Sequence, residues 1–294
     1  MKTSKSKSIQ FLQKLSFVLP ALIIFIIFVI YPFLSSIPYS LTQWDGISPP
    51  VYIGFGNYTR LFQEKSFLTA IYNTLWFCAT LVISMPASLL LAVMLNRKFR
   101  GVGILRTIYY LPAVISLVVI SILWSSILGY YGAINQVLQF IGLESYLKDW
   151  IGTISTVKPA LFFVMLWQGT GYGAVIFLAG LQSIPGEINE SAELDGAAGL
   201  TKFTRITFPL IMPSVTIYSF LALSGSLKLF DIPYIMTNGG PGNASATVAL
   251  KVFTQAFKDQ NYGYSTASGL ILFVFVLFAS VLQTSFTRKR EVEL

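Results

Sequence analysis

The chain has no histidine, a single cysteine and little charge. The missing histidine, across all 294 residues, removes imidazole general bases and histidine-ligated metal sites. Cys78 alone cannot form a disulfide within the chain or a thiolate cluster. Set in an apolar run, it reads as a small buried hydrophobe. Charged residues make up 11% of the sequence, where a water-soluble domain carries about a quarter. A Gly-x4-Gly-Lys-Ser/Thr phosphate loop is also missing, because the glycine-rich stretches are not followed by the required lysine. ATP chemistry, if the protein uses it, belongs to another polypeptide.

What is present is apolar: 54% of the residues, with a mean hydropathy of +0.69. The placement of charge is more telling than its amount. Six charge-free runs lie between Lys14 and Asp45, Lys65 and Arg97, Arg106 and Glu144, Lys158 and Glu187, Arg205 and Lys228, and Asp259 and Arg288; they hold 30, 31, 37, 28, 22 and 28 residues. A spanning helix needs roughly 20 apolar residues, at about 1.5 Å of rise each, to cross a hydrocarbon core about 30 Å thick. All six are long enough, which predicts an all-α membrane protein of six transmembrane helices. A seventh gap, between Asp231 and Lys251, is rich in Gly, Asn and Thr and reads as a loop. The first apolar stretch, Phe17 to Leu41, exceeds the roughly 7–15 residues of a signal-peptide core and reads as a span.

Six spans place both termini on one side of the membrane. The segments on that side carry 13 Lys and Arg residues, against 7 on the other. The positive-inside rule then predicts cytoplasmic termini in a multi-pass plasma-membrane protein. The expected organisation is a cytoplasmic N-terminal segment over 1–15, a six-helix domain over 16–287 and a cytoplasmic tail over 288–294. The net charge of +8 marks this topology and not a nucleic-acid partner. The runs are interrupted by Pro20, Pro32, Pro86 and Pro112, and by Gly169, Gly171, Gly173 and Gly180. Such irregularity survives at membrane depth where it is buried in protein or lines a cavity, and small residues also let helices pack closely. No Asp, Glu, Lys, Arg or His lies inside the runs, which argues against an ion-coupled transporter. Without histidine or paired carboxylates, an embedded enzyme is also disfavoured.

The loop over 185–208 has its own pattern. Ile184, Ile188 and Ser191-Ala192 recur at helical spacing, with Glu187, Glu190 and Glu193 around them. Pro185 suits a helix start, acidic residues suit the positive end of the helix, and Gly196 allows a tight turn. Leu200 to Phe208 reads as a second short helix, after which Pro209 and Pro213 lead into the fifth span. A bent helix pair of this kind suits docking into a groove on another protein.

Here the sequence resembles a known family. Glu190-Ser191-Ala192, Gly196, Ile206 and Phe208-Pro209 match the spacing of the loop in ABC importer permeases: Glu-Ala-Ala, three residues, Gly, nine residues, Ile, one residue, Leu-Pro. Ser191 and Phe208 are mild departures. The segments Trp167 to Pro185 and Phe230 to Thr247 resemble the carbohydrate-uptake branch, which serves maltose, oligosaccharides and glycerol phosphate. The opening, with Pro32, Trp44 and GFGNYTRLF, resembles the first of its two paired permease subunits. The resemblance implies a type I permease bundle with a cytoplasmic coupling helix and no catalytic residues. Glu190, Ser191, Ala192, Leu194, Asp195, Gly196 and Ala197 would seat it on an ATPase. The implied partners are a second permease subunit, two cytoplasmic ATPase subunits that hold ATP and magnesium, and an extracellular solute-binding protein. This chain itself would hold no cofactor and no metal.

A sugar site needs aromatic faces and hydrogen-bonding groups in a partly apolar cavity. Trp167, Gln168, Tyr172, Ser224 and Ser226 provide these in the fourth and fifth spans. Against the maltose-type permease, Gly169, Tyr172 and Ser226 fall on sugar-contacting positions. Met165, Ala222 and Leu229 stand where that relative has polar groups. The candidate substrate set is therefore Trp167, Gln168, Gly169, Tyr172 and Ser226. Import of glycerol 3-phosphate by the same machine stays open. A phosphate would want Lys or Arg facing the cavity, and the spans offer none. Lys228 and Asp231, at the end of the fifth span, are expected to form a local ion pair.

Overall fold

In a computed structural model, residues 16–97 and 99–292 are described. The expected segment 1–15 lies outside them, as do the last two residues of the tail. The described residues are mostly helical, and the chain divides into two compact units.

One unit comprises the described residues up to Leu61 together with Val252–Leu270. Its first helix, α1, runs Ser16–Ser40. The side chains of residues 16–32 all point outward, including Phe17, Ile24 and Phe28. An apolar rod with no protein around it is stable only where the surroundings are apolar too, so this face belongs against lipid. Beyond α1, the two-residue strands β1 (Thr42–Gln43) and β2 (Val51–Tyr52) pair antiparallel. Between them the Asp45 carboxylate accepts the Ile47 and Ser48 amides at 2.9 and 2.7 Å. Those amides, with the Ser48 hydroxyl, hold the Asp45 carboxyl below its ordinary value. Helix α2 (Gly56–Gln63) is tied back by Asn57, which donates to the Ser40 and Thr42 carbonyls at 2.8 Å each. The Trp44 ring stacks on Tyr39 at 4.5 Å, and the Gly263 amide donates to the Trp44 carbonyl.

The other unit comprises Phe62–Lys251 and the chain from Ile271 onward. It contains α3 (Lys65–Leu95), α4 (Val102–Val114), α5 (Leu117–Leu128), α6 (Ala133–Phe140) and α7 (Ile154–Gln182). These are followed by α8 (Gly186–Leu194), α9 (Gly199–Leu210), α10 (Met212–Leu227) and α11 (Asp231–Thr237). The last two helices, α12 (Val248–Phe257) and α13 (Tyr262–Arg288), contribute to both units. Among the described residues, five helices can cross a membrane by length and composition, and the pair α9–α10, bent by 69°, makes a sixth span. The expected all-α, six-span fold is therefore present.

Three local expectations change. The third charge-free run is not one helix. Pro112 lies near the end of α4, Ile115 is extended, and the Ser116 hydroxyl accepts the Val118 amide to start α5 afresh. The gap between Asp231 and Lys251 is not all loop, because α11 occupies its first turns. Lys228 and Asp231 do not pair with each other; Lys228 lines a groove between α10 and α13.

The second half of α3 packs along α7, and glycine sets the distance. A Cβ on Gly173 would overlap Ser88 Oγ and come within 2.5 Å of the Tyr218 ring, and one on Gly171 would overlap the Tyr109 carbonyl. Two apolar clusters form. One gathers Phe77, Ile120, Leu161, Val164 and Ile232. The other gathers Ala92, Phe177, Ile211, Val215 and Tyr218, nearer the loop that holds α8. Between these two levels the helices part.

Candidate functional site

The loop after α7 folds as the spacing predicts. Pro185 precedes the first turn of α8 with φ −56°, and Glu187 lies in that turn. Ile184 and Ile188 are half-buried and Ala192 is buried, so the apolar stripe faces the bundle. The opposite face presents Glu190, Ser191, Leu194 and Asp195 to solvent. Leu194 and, beyond the turn, Leu200 are the apolar points of this face, at 89% and 78% exposure.

The turn between α8 and α9 is closed by two backbone bonds. The Ala197 amide donates to the Ala192 carbonyl at 2.9 Å, and the Gly196 amide to the Glu193 carbonyl at 3.1 Å. This 6→1 and 5→2 pattern needs a left-handed residue at Gly196, whose φ is +79°. No atom lies within 4 Å of where a Gly196 Cβ would sit, so backbone conformation and not crowding requires glycine there. Lys202 reaches across from α9 to Glu193 at 2.9 Å. All seven loop residues singled out in the sequence thus sit in one knob, with Ala192 as its buried foot and Ala197 half-buried at its turn.

The second feature is a cavity of about 320 Å³ between the two apolar levels. From α7 it is lined by Met165, Gln168, Gly169 and Tyr172, which are three, four and seven residues from the first and so share one helical face. From α10 and the turn after it come Tyr218, Ala222, Ser226 and Leu229, and α3 adds Thr80 and Ser84. Four of the five substrate candidates, Gln168, Gly169, Tyr172 and Ser226, therefore meet in one place. The departing positions Met165, Ala222 and Leu229 line the same cavity. Gly169 differs from the packing glycines, as its nearest neighbour would be Ser84 Cβ at 4.0 Å.

Trp167 does not join them. It points to the next face of α7, packs edge-to-face on Trp124 at 5.5 Å, and lines a separate apolar hollow with Phe163 and Tyr109. Ser224 also turns elsewhere, to 3.3 Å from Ser280 Oγ in the groove that holds Lys228. Sequence reasoning missed Ser84, Tyr218 and Thr80. Ser84 and Ser88 are four apart on α3, a faint signal of a shared polar face. The Tyr218 hydroxyl donates to Ser84 at 2.8 Å across 134 residues of chain, which no local pattern encodes. No Lys, Arg, Asp or Glu is among the residues that line the cavity. Among the described residues no cluster of acids or cysteine could hold a metal.

Residues 84–292 match the family described as the binding-protein-dependent transport system inner membrane component. The chain belongs to that family. The match begins at Ser84 and takes in the loop knob and most of the cavity lining. The chain is also 35% identical, over 95% of its length and 94% of the relative's, to a probable starch degradation products transport system permease protein of Thermoanaerobacterium thermosulfurigenes. It is 33% identical to a multiple sugar-binding transport system permease protein of Streptococcus mutans, over 94% of this chain and 96% of that one. Among solved structures, it resembles a chain of a bacterial ABC transporter that imports the acidic polysaccharide alginate. The TM-score is 0.84 at 25% identity, covering 98% of this chain and 99% of that one. A bacterial alginate ABC transporter in complex with alginate pentasaccharide-bound periplasmic protein gives 0.85 at 26% identity, covering 98% of each chain. This ABC-importer permease is thus a multi-pass membrane protein with the type I bundle the loop motif implies.

Proposed function

We infer that this permease subunit forms half of the pore of an ATP-driven importer of a neutral sugar or oligosaccharide and has no catalytic chemistry of its own. One observation carries the reading: a single chain pairs an exposed, preformed docking knob with an uncharged, hydroxyl-lined cavity one helix away. The knob is the element that couples the pore to ATP. Glu190, Ser191, Leu194 and Asp195 meet a cytoplasmic ATPase subunit, while Ala192, Gly196 and Ala197 hold their shape. The ATPase pair binds ATP and magnesium, and its closure moves the knob of this chain and that of a second permease together. Rigid-body rocking of packed helices then exposes the cavity to one side or the other. A solute-binding protein delivers the sugar from outside. In this reading both termini are cytoplasmic, and residues 16–287 form the membrane domain.

The cavity chemistry supports a sugar. Tyr172 is half open and offers an aromatic face for stacking. Gln168 and Ser226 offer both donors and acceptors, as a neutral polyol requires. Glycerol 3-phosphate fits less well, because a phosphate calls for a cation that the lining lacks. The test is reconstitution with both permeases, the ATPases and the binding protein. ATP hydrolysis should rise with one member of a panel of neutral oligosaccharides. Stimulation by glycerol 3-phosphate and by no sugar would favour the alternative.

A further inference from the structure

Within the cavity, one polar pair stands apart from the residues just assigned. Tyr218 donates to Ser84 Oγ at 2.8 Å, and both line the cavity. Several hydroxyls elsewhere in the spans turn back onto their own helix. Thr74 donates to the Ala70 carbonyl, Ser121 to Leu117, Thr170 to Leu166 and Ser219 to Val215. Ser84 does not. It accepts from Tyr218, and its own proton has no acceptor among the described residues. Ser84 is 4% exposed and Tyr218 1%, so this donor is buried. A buried donor left unmade costs about 1–3 kcal/mol, which a ligand oxygen would relieve.

The pair is held in place from behind. The Tyr218 ring lies against Gly173 so closely that a Cβ there would come within 2.5 Å of ring carbon Cε2. Ser88, one turn beyond Ser84, is fully buried in the same seam beside the Tyr218 hydroxyl. Both partners come from well-packed helices, so the Ser84 O–H is positioned before any ligand arrives. Tyr218 precedes Ser226 by eight residues, about 12 Å along α10. The pair therefore marks the end of the cavity nearer the α8 loop, and Ser226 the other end.

We propose that Ser84, backed by Tyr218, is a specificity-determining donor to a hydroxyl or ring oxygen of the bound sugar. This rests on the sugar reading given above. The three oxygens form a relay in which Tyr218 donates to Ser84 and Ser84 to the sugar. Each bond in such a chain polarises the next. The relay is uncharged, and it engages a different part of the sugar from Ser226.

The test uses the reconstituted four-subunit complex with its binding protein. The probe is whichever of maltotriose, raffinose and diacetylchitobiose stimulates ATP hydrolysis, together with its monodeoxy analogues. Ser84→Ala and Tyr218→Phe should each raise the half-maximal sugar concentration about 2- to 10-fold, the worth of one neutral hydrogen bond. Ser84→Thr should restore the wild-type value. For one deoxy analogue, the penalty of the missing sugar hydroxyl and that of Ser84→Ala should fail to add, because they delete the same bond. Full additivity for every analogue would make the pair merely structural and overturn the proposal while leaving the sugar reading intact. No stimulation of the wild-type complex by any neutral sugar would overturn both.

Discussion

The turn at Gly196 makes a quantitative prediction. Its φ of +79° is left-handed, and an L-residue with a Cβ pays about 1–2 kcal/mol there. Open space surrounds the missing Cβ, so no clash inside the chain adds to that figure. Asparagine tolerates this conformation better than alanine although it is larger. If the knob must be preformed to dock, apparent ATPase affinity falls with the fraction of chains that hold the turn. Gly196→Ala should then weaken binding of the purified ATPase subunit to the permease pair, by as much as about 5- to 30-fold. Gly196→Asn should weaken it less, and Gly196→Val at least as much as alanine. Affinity would be measured by surface-immobilised titration with the permeases in nanodiscs. The opposite order, with alanine near wild type and asparagine worst, would show that side-chain size in the partner's groove governs the effect, and would refute the turn argument.

Four other outcomes follow from the geometry. Tyr172→Ala should raise the half-maximal sugar concentration about 2- to 10-fold, the worth of one aromatic contact, whereas Trp167→Phe should leave it unchanged because Trp167 faces another hollow; equal effects in the ATPase assay would contradict the split. Asn73 is fully buried and donates to the Asn243 and Ala246 carbonyls at 3.0 and 2.9 Å. Asn73→Ala takes the side-chain donor from the Ala246 carbonyl, at about 1–3 kcal/mol, while the Asn243 carbonyl keeps the Ala246 amide at 3.2 Å; it should lower Tm in detergent by a few degrees, and an unchanged Tm would count against that clamp. Asp45 is stabilised as a carboxylate, so its turn is intact above the ordinary pKa of 3.8 and is lost as pH falls through the lower folded value. The Ile47 and Ser48 amide proton shifts should titrate below 3.8, and a midpoint at or above it would refute the assignment.

Much of this was legible in the sequence because the membrane imposes coarse rules. Six charge-free runs sufficed for the fold, and the spacing from Glu190 to Pro209 sufficed for the knob, since a helix stop at a left-handed glycine is a local event. The cavity was half legible. Gln168, Gly169 and Tyr172 lie within one and a half turns of each other, so helical periodicity alone puts them on one face. Periodicity also separates Trp167 from Tyr172, but polarity and aromatic character had grouped them together. Ser84 and Tyr218 could not be found this way, because their contact depends on how closely α3, α7 and α10 approach, which Gly173 decides. The break between α4 and α5 was hidden for a related reason: both halves are equally apolar, so charge placement is blind to it.

In the proposed function, ATP bound elsewhere drives a neutral sugar through this bundle. This coupling is tested most directly by uptake of a radiolabelled oligosaccharide from the panel into proteoliposomes that hold the whole complex, with ATP supplied on the ATPase side and a protonophore present. The expected result is accumulation above the external concentration that depends on ATP and ignores the protonophore. Accumulation that persists without ATP and collapses with the protonophore would contradict it.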